Sequence, residues 1–389
     1  MPDHYSNNTY DVIVIGAGSI GCPTALALAK VGLRVLVLDQ YPSVGQGSNK
    51  KAIGGIRATH SDAAKISLCQ RSIEIFSTWK EEYGDEIEWV RGGYCFVAYH
   101  ESEKNKLKTL LDVQKRFHLN IDWLPKEGLL ELIPDLNPTG LLGGTYSPDD
   151  GSASPLLAIH AFYRQSIALG VAYHFRQTVT ALTIDNGRIT GVQTETDQFS
   201  APIVVNAAGA WSGRLNAMTG ESIPVMPDSH ESGVTEAVER FFFPMIVDIA
   251  PHPGSANIYF YQHHTGQIFF CMTPDPNIWG FDCEETSSFL PMVSKRMISL
   301  MPKLKNIRVR RTWRGLYPMT PDGAPFIGWS NKIEGLFYAV GMCGQGFMLG
   351  PGVGELIARV ITRQADLQDG KILDLLSPYR AFAGQEQLK

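Results

Sequence analysis

Three glycines and one aspartate carry the first chemical signal in this chain. Gly16, Gly18 and Gly21 follow an apolar run, Asp11 to Ile15, and open a helix-like stretch. Asp39 stands eighteen residues beyond Gly21, at the end of a second apolar run that begins at Val35. A short unbroken apolar run reads as a buried parallel strand. Gly16 then lets the chain turn sharply, Gly18 lets the backbone approach a pyrophosphate, and Gly21 lets the next helix pack against the strand. The helix start offers unpaired N–H groups and the positive end of its dipole to phosphates. A carboxylate at position 39 accepts hydrogen bonds from ribose hydroxyls and repels a 2′-phosphate, which disfavours NADP. The strand–turn–helix context, with its acid in place, makes this a dinucleotide-binding pattern and not a bare glycine turn. It does not distinguish NAD from FAD.

A second glycine turn, Gly341-Met342-Cys343-Gly344-Gln345-Gly346, follows a strand-like run over 335–340 and precedes a helix over about 347–362. Glycines ahead of a helix place its N–H groups at a ligand. Close helix packing is the alternative, and it suits Gly350, Gly352 and Gly354 better than the turn itself. No Ser-His-Asp order or paired-carboxylate spacing stands out. The six cysteines (Cys22, Cys69, Cys95, Cys271, Cys283, Cys343) form no CxxC pair and no metal-ligand spacing, so they read as free thiols and no metal is expected.

The elements that must position these groups can be read in order. At 389 residues, 44% hydrophobic and 19% charged, the chain has room for one large or two medium domains. A formal charge of −5 gives no basic field for nucleic acid. Residues 1–9 are polar without a basic leader, and the apolar stretch from Val12 is broken by glycines and Pro23. No signal peptide or membrane span is therefore expected, and the default location is cytoplasmic. Apolar spacing predicts a helix over 62–83 capped by Ser61 or Asp62, with further helices over 102–117, 126–134 and 155–170. Strands are predicted over 91–99, 172–175, 179–185 and 189–196, and the run 203–211 reads as an apolar strand running into small residues. From 220 to 311 aromatic and β-like runs dominate, including Phe241 to Phe243, Ile258 to Gln262 and Gln267 to Met272, which predicts an antiparallel sheet. The fold class is therefore α/β. A Rossmann-like dinucleotide-binding domain (1–88, 143–218 and 312–389) carries an inserted mixed or antiparallel-sheet substrate domain (89–142 and 219–311).

Three blocks together, DVIVIGAGSIG, VVNAAGAW and RTWRGLYPMTPDGAPFIG…GMCGQGFMLGPGVGELIA, resemble the FAD-dependent amino-acid oxidase family, which includes D-amino-acid oxidase, glycine oxidase and the sarcosine oxidases. The last block looks most like the β subunit of heteromeric L-proline dehydrogenase, then sarcosine oxidase β subunits. The resemblance implies FAD as cofactor. It implies that Gly16, Gly18, Ser19, Ile20 and Gly21 hold the pyrophosphate, and that Asp39 and Gln40 hold the ribose. Gly47, Ser48, Val179, Ala208, Gly209 and Trp211 would line the groove, and Gly344, Gln345, Gly346, Phe347 and Met348 would border the isoalloxazine. Monomeric sarcosine oxidases tether FAD through a cysteine where this chain has Gly315, so non-covalent FAD is expected. Their His and Lys in the glycine turn are Gln345 and Met348 here, which puts direct use of oxygen in doubt.

The resemblance implies hydride loss from a carbon bearing an amine. A carboxylate anchor is then needed, and Arg57 in the glycine loop is the first candidate because guanidinium grips carboxylate with two bonds. Tyr317 and Tyr259 are candidates for contact with substrate. By strand alternation Tyr261 and His263 share the face of Tyr259; structural roles compete for these, for His264, and for Trp313 and Arg314. The expected substrate is a secondary or cyclic amino acid such as proline, sarcosine or an N-substituted glycine, oxidised to the imine. The alternatives are a glycine or primary amino-acid oxidase, an NAD-dependent enzyme, and a catalytic subunit active only with a heteromeric partner or electron acceptor.

Overall fold

The computed structural model describes residues 8–382 and 386–388, so the polar start and parts of the last predicted segment lie outside the described residues. The first apolar run becomes the strand Val12–Ile15, in the middle of a six-stranded sheet ordered Phe326–Trp329, Leu336–Val340, Ile203–Asn206, Val12–Ile15, Val35–Asp39, Ala172–Phe175. All neighbours pair parallel except the first two. Alternate side chains leave a strand on opposite faces. Val12, Val14, Val35 and Val37 thus enter one core, and Ile13, Ile15, Leu36 and Leu38 enter another. Burial on both faces is why these runs are apolar at every position.

The first face carries the helices Gly21–Lys30, Ala63–Tyr83, Pro155–Ala168 and Gly346–Ile361. The second carries an antiparallel meander of Val179–Asp185, Arg188–Thr194 and Gln198–Ser200. Asp62 caps the Ala63–Tyr83 helix, its carboxylate accepting from the Lys65 backbone N–H at 2.9 Å.

The second sheet has eight strands, ordered Val309–Met319, Met226–Thr235, Ile268–Asp275, Gly254–Gln262, Met245–Asp248, Tyr94–Ala98, Gly143–Ser147, Asp122–Pro125. It is antiparallel except where Met245–Asp248 meets Tyr94–Ala98 in parallel. Gly143–Ser147 and Val309–Met319 both pair within this sheet, so the division we propose follows the sheets and moves these two strands to the inserted part. Two details of the 220–311 reading are corrected. Phe241 to Phe243 form no strand: Phe242 is buried in the core, whereas Phe243 is exposed. Phe289–Leu300 is a helix, whose Phe289, Val293, Met297 and Leu300 lie on one face against the sheet. Its Arg296 is buried and donates to Asp248 Oδ2 at 2.7 Å and Ser255 Oγ at 2.6 Å.

Helices Gly21–Lys30 and Gly346–Ile361 touch through glycine. A methyl group on Gly350 would overlap the Ser19 carbonyl oxygen, and one on Gly354 would lie 2.7 Å from the Pro23 carbonyl carbon. Gly350→Ala is therefore expected to lower stability by about 1–3 kcal/mol through overpacking. Gly370→Ala, in the Leu367–Leu375 helix with open space around it, is expected to be neutral or to stabilise by about 0.5–1 kcal/mol. Urea unfolding of both variants checks this; equal effects would remove the helix contact as the explanation.

Candidate active site

One cavity is bounded by the carboxyl ends of the parallel strands on one side and by a face of the eight-stranded sheet on the other. Gly16, Gly18, Ser19 and Ile20 line it at the first turn, followed by Asp39, Gln40 and Val179. Gly47 and Ser48 continue the wall, with Ala208, Gly209 and Trp211 across from them. The turn from Gly344 to Met348 closes the other part, and Arg57, Tyr259 and Tyr317 face the same space. Gly21 is the exception. A side chain there would overlap the Gly16 carbonyl oxygen, so its place is in helix packing and not in the groove.

The turn chemistry follows from local geometry. Gly16 has φ +110°, a conformation that glycine adopts without strain. Asp39 Oδ2 accepts from the Ala17 N–H at 2.7 Å and Oδ1 from the Tyr41 N–H at 2.8 Å. Burial raises its pKa, while those two bonds oppose the rise. A carboxylate accepts about four bonds, so lone pairs remain for a ribose. Ser19 Oγ donates to Asn49 Oδ1 and Ser48 Oγ to the Leu316 carbonyl, each at 2.7 Å. At the second turn Gln345 is the N-cap of the Gly346–Ile361 helix. Its Oε1 accepts from Lys65 Nζ at 2.8 Å, and its buried Nε2 has no partner among the described residues.

The sheet side presents a wall of rings. The Tyr259 and Tyr317 hydroxyls are 2.6 Å apart. The His230 ring lies 3.7 Å from that of Tyr317, only 15° from parallel. His230 Nε2 meets Asp228 Oδ2 at 2.9 Å, and its Nδ1 is buried without a partner among the described residues. Asp228 also accepts from Asn277 Nδ2 and the Ile278 N–H, both at 2.6 Å. Burial lowers the pKa of His230 despite the Asp228 charge, and burial raises both tyrosine hydroxyls well above their usual value. Sequence reasoning missed this pair, although Asp-x-His on a strand does place both side chains on one face.

Arg57 is buried in the cavity wall, but its ends are committed. Nη1 donates to the Thr59 carbonyl and lies 3.2 Å from His60 Nδ1, while Nη2 donates to the Leu388 carbonyl. Other candidates fall away from the cavity. The Tyr261 hydroxyl donates to the Ile53 carbonyl at 2.7 Å. His263 and His264 sit at a hairpin tip beside Glu88. Trp313 Nε1 donates to the Lys51 carbonyl and Arg314 Nη1 to Asp282. Among the described residues no helix is long and apolar enough to cross a membrane.

The fold and site define a dinucleotide-binding protein whose cavity has its second wall on a separate sheet. The family model described as DAO, FAD dependent oxidoreductase, matches residues 11–360, and the chain belongs to that family. Among curated relatives, the mitochondrial sarcosine dehydrogenase of Mus musculus is 26% identical over 367 residues, 91% of this chain but 40% of that protein. The chain thus spans about two-fifths of that relative. Glycine oxidase of Geobacillus kaustophilus is 27% identical and covers 91% of this chain and 93% of its own. Among solved structures, L-proline dehydrogenase from P. horikoshii superposes with TM-score 0.89 at 31% identity, covering 96% of this chain and 98% of that one. FAD-dependent oxidoreduction is thus the chemistry of the family.

The cavity fits FAD on its own terms. Open space surrounds Gly18 where a pyrophosphate needs backbone access, Asp39 keeps free lone pairs, and the unpartnered Gln345 amide stands at a helix start. At Gly315 a Cβ would lie 2.7 Å from Lys51 Cβ, so no thiol is accommodated there without a shift. Acid precipitation is expected to release all flavin into the supernatant. Flavin remaining with the precipitated chain would refute non-covalent binding.

Proposed function

We propose that this enzyme oxidises a secondary or cyclic amino acid (proline, sarcosine or an N-substituted glycine) to the imine. The observation that carries the reading is the ring wall of Tyr259, Tyr317 and His230 facing the same cavity as the Gly344–Met348 turn. The likeness to L-proline dehydrogenase over nearly the whole chain supports the substrate class. The full-length likeness to glycine oxidase supports glycine as the second reading.

Bound FAD supplies the hydride acceptor. The chain's residues prepare the amine. Because the Asp228 carboxylate accepts the Nε2 proton bond, His230 keeps its lone pair on Nδ1, and burial keeps the ring neutral. Neutral His230 can take the proton that a substrate ammonium must lose once its ring turns the buried Nδ1 into the cavity. One tyrosine hydroxyl donates to the other, which leaves one O–H to donate to the substrate carboxylate. Arg57 adds a fixed positive charge from the wall. The rings shield the reacting carbon from water.

Anaerobic stopped-flow mixing with L-proline, sarcosine, glycine and D-amino acids tests the proposal by flavin bleaching. Readmitted air separates an oxidase, which recolours fast, from a dehydrogenase that needs a partner chain or another acceptor. Bleaching by none of the secondary amino acids would refute the substrate class. Arg57→Ala is expected to cost at least ~2 kcal/mol in kcat/KM, the scale of removing a buried charge opposite a carboxylate. Unchanged kinetics with intact flavin would sink its role. His230 works in its neutral form, so kcat/KM should rise with pH through a pKa below the usual 6.5 and then level off. A pH profile of His230→Gln should lack that acidic limb.

A further inference from the structure

Lys65 is fully buried on the Ala63–Tyr83 helix, and the ring wall makes no use of it. Its ammonium is surrounded by three oxygens: Gln345 Oε1 at 2.8 Å, Glu386 Oε2 at 2.8 Å and the Gly323 carbonyl at 3.1 Å. An ammonium has three donors and no acceptor, so it fixes the Gln345 amide with oxygen inward. The NH₂ group is thereby turned away from Lys65. That group is buried, has no partner among the described residues, and belongs to the N-cap residue of a sixteen-residue helix whose first turn lines the cavity. The helix N–H groups and the dipole behind them thus reach the cavity wall at the residue whose amide Lys65 orients.

We infer that Lys65, Gln345 and Glu386 form one unit that sets the reduction potential of the flavin. Lys65 polarises and orients the Gln345 amide as a donor towards the isoalloxazine, and Glu386 offsets the ammonium from behind. This rests on the reading that the Gly344–Met348 turn borders the flavin ring. Reduced flavin carries negative charge on its pyrimidine portion, so a donor or cation there favours reduction and a carboxylate opposes it. Lys65 and Glu386 are thus positioning residues acting through Gln345, with opposite signs. Glu386 is further held by the Ser61 N–H at 3.1 Å and the Ser61 hydroxyl at 2.6 Å. The residues after it in the fold reach Arg57 through the Leu388 carbonyl. The segment 386–388 therefore touches both buried cations beside the cavity.

The test is the midpoint potential of FAD-loaded protein, measured by dye equilibration. Lys65→Met is expected to lower the two-electron reduction equilibrium constant about tenfold, which corresponds to about 30 mV. Glu386→Gln is isosteric and still accepts the ammonium bond; it is expected to raise the constant by about the same factor. It also keeps the test open if Lys65→Met strands a buried carboxylate and fails to fold. In a Gln345→Leu background the Glu386→Gln effect should shrink. An unmoved or lowered potential in Glu386→Gln overturns the inference, and an undiminished effect in the Gln345→Leu background overturns the relay. A wild-type chain that takes up no flavin would fail the earlier reading, whereas a yellow protein with an unmoved potential fails only this one.

Discussion

The contact between the first and last long helices governs the rest of the structure. Gly350 and Gly354 remove the side chains that would hold Gly346–Ile361 away from Gly21–Lys30. With the two backbones this close, both helix starts open onto a single cavity. One start follows the Gly16–Ser19 turn and the other follows the Gly341–Gly346 turn. An elongated dinucleotide with a pyrophosphate in its middle and a ring that gains charge on reduction is matched by two such poles. A wider helix pair would leave each turn intact and separate the poles.

The polar groups beneath this cavity are costly and are retained in pairs. Lys65 and Glu386 are both buried and 2.8 Å apart. Asp150 accepts from the Thr59 hydroxyl at 2.6 Å and the Ala58 N–H at 2.8 Å, yet burial still raises its pKa to about 6. His60, between Arg57 and Lys65, is held well below its usual pKa by burial and by both cations. Removing one member of a buried pair leaves an uncompensated charge, which costs more than the pair ever contributes. Hydrophobic replacement of a buried ion pair is often neutral or stabilising, so a cluster kept beside the cavity is consistent with an electrostatic task.

What was legible beforehand follows from how local each signal is. The Gly16–Gly21 turn, Asp39 and the Gly344–Met348 turn were readable because each requirement is met within a few residues of chain. Tyr259 and Tyr317 were found only with help from a family resemblance, and their shared hydrogen bond joins strands that lie far apart in sequence. Tyr261 shows the limit of alternation: it shares a face with Tyr259, but its depth in the fold directs its hydroxyl to Ile53. The Phe289–Leu300 helix was hidden because Pro291 and the aromatic runs around it mask a four-residue period. Lys65 gave no signal at all, since a lysine in a helix is ordinarily solvated. Its burial depends on Gln345 and Glu386, each more than 250 residues away.

Gly344 joins the helix side of the cavity to the sheet side. Its φ of +80° suits glycine, and any side chain there would overlap the Tyr317 ring. The turn that opens the Gly346–Ile361 helix thus packs directly on the ring that stacks with His230. Opposite Tyr317 in the sheet register stands Asp228, and opposite His230 stands Gly315. Tyr317 is therefore fixed on one side by the glycine turn and on the other by an imidazole that Asp228 holds in place. A displacement of the turn must move the ring, and a displacement of the ring must move the histidine. Under the proposed function, the groups assigned to the amine and those assigned to the flavin are one packed assembly, so the distance between donor carbon and acceptor ring would be set by core packing and not by a flexible loop.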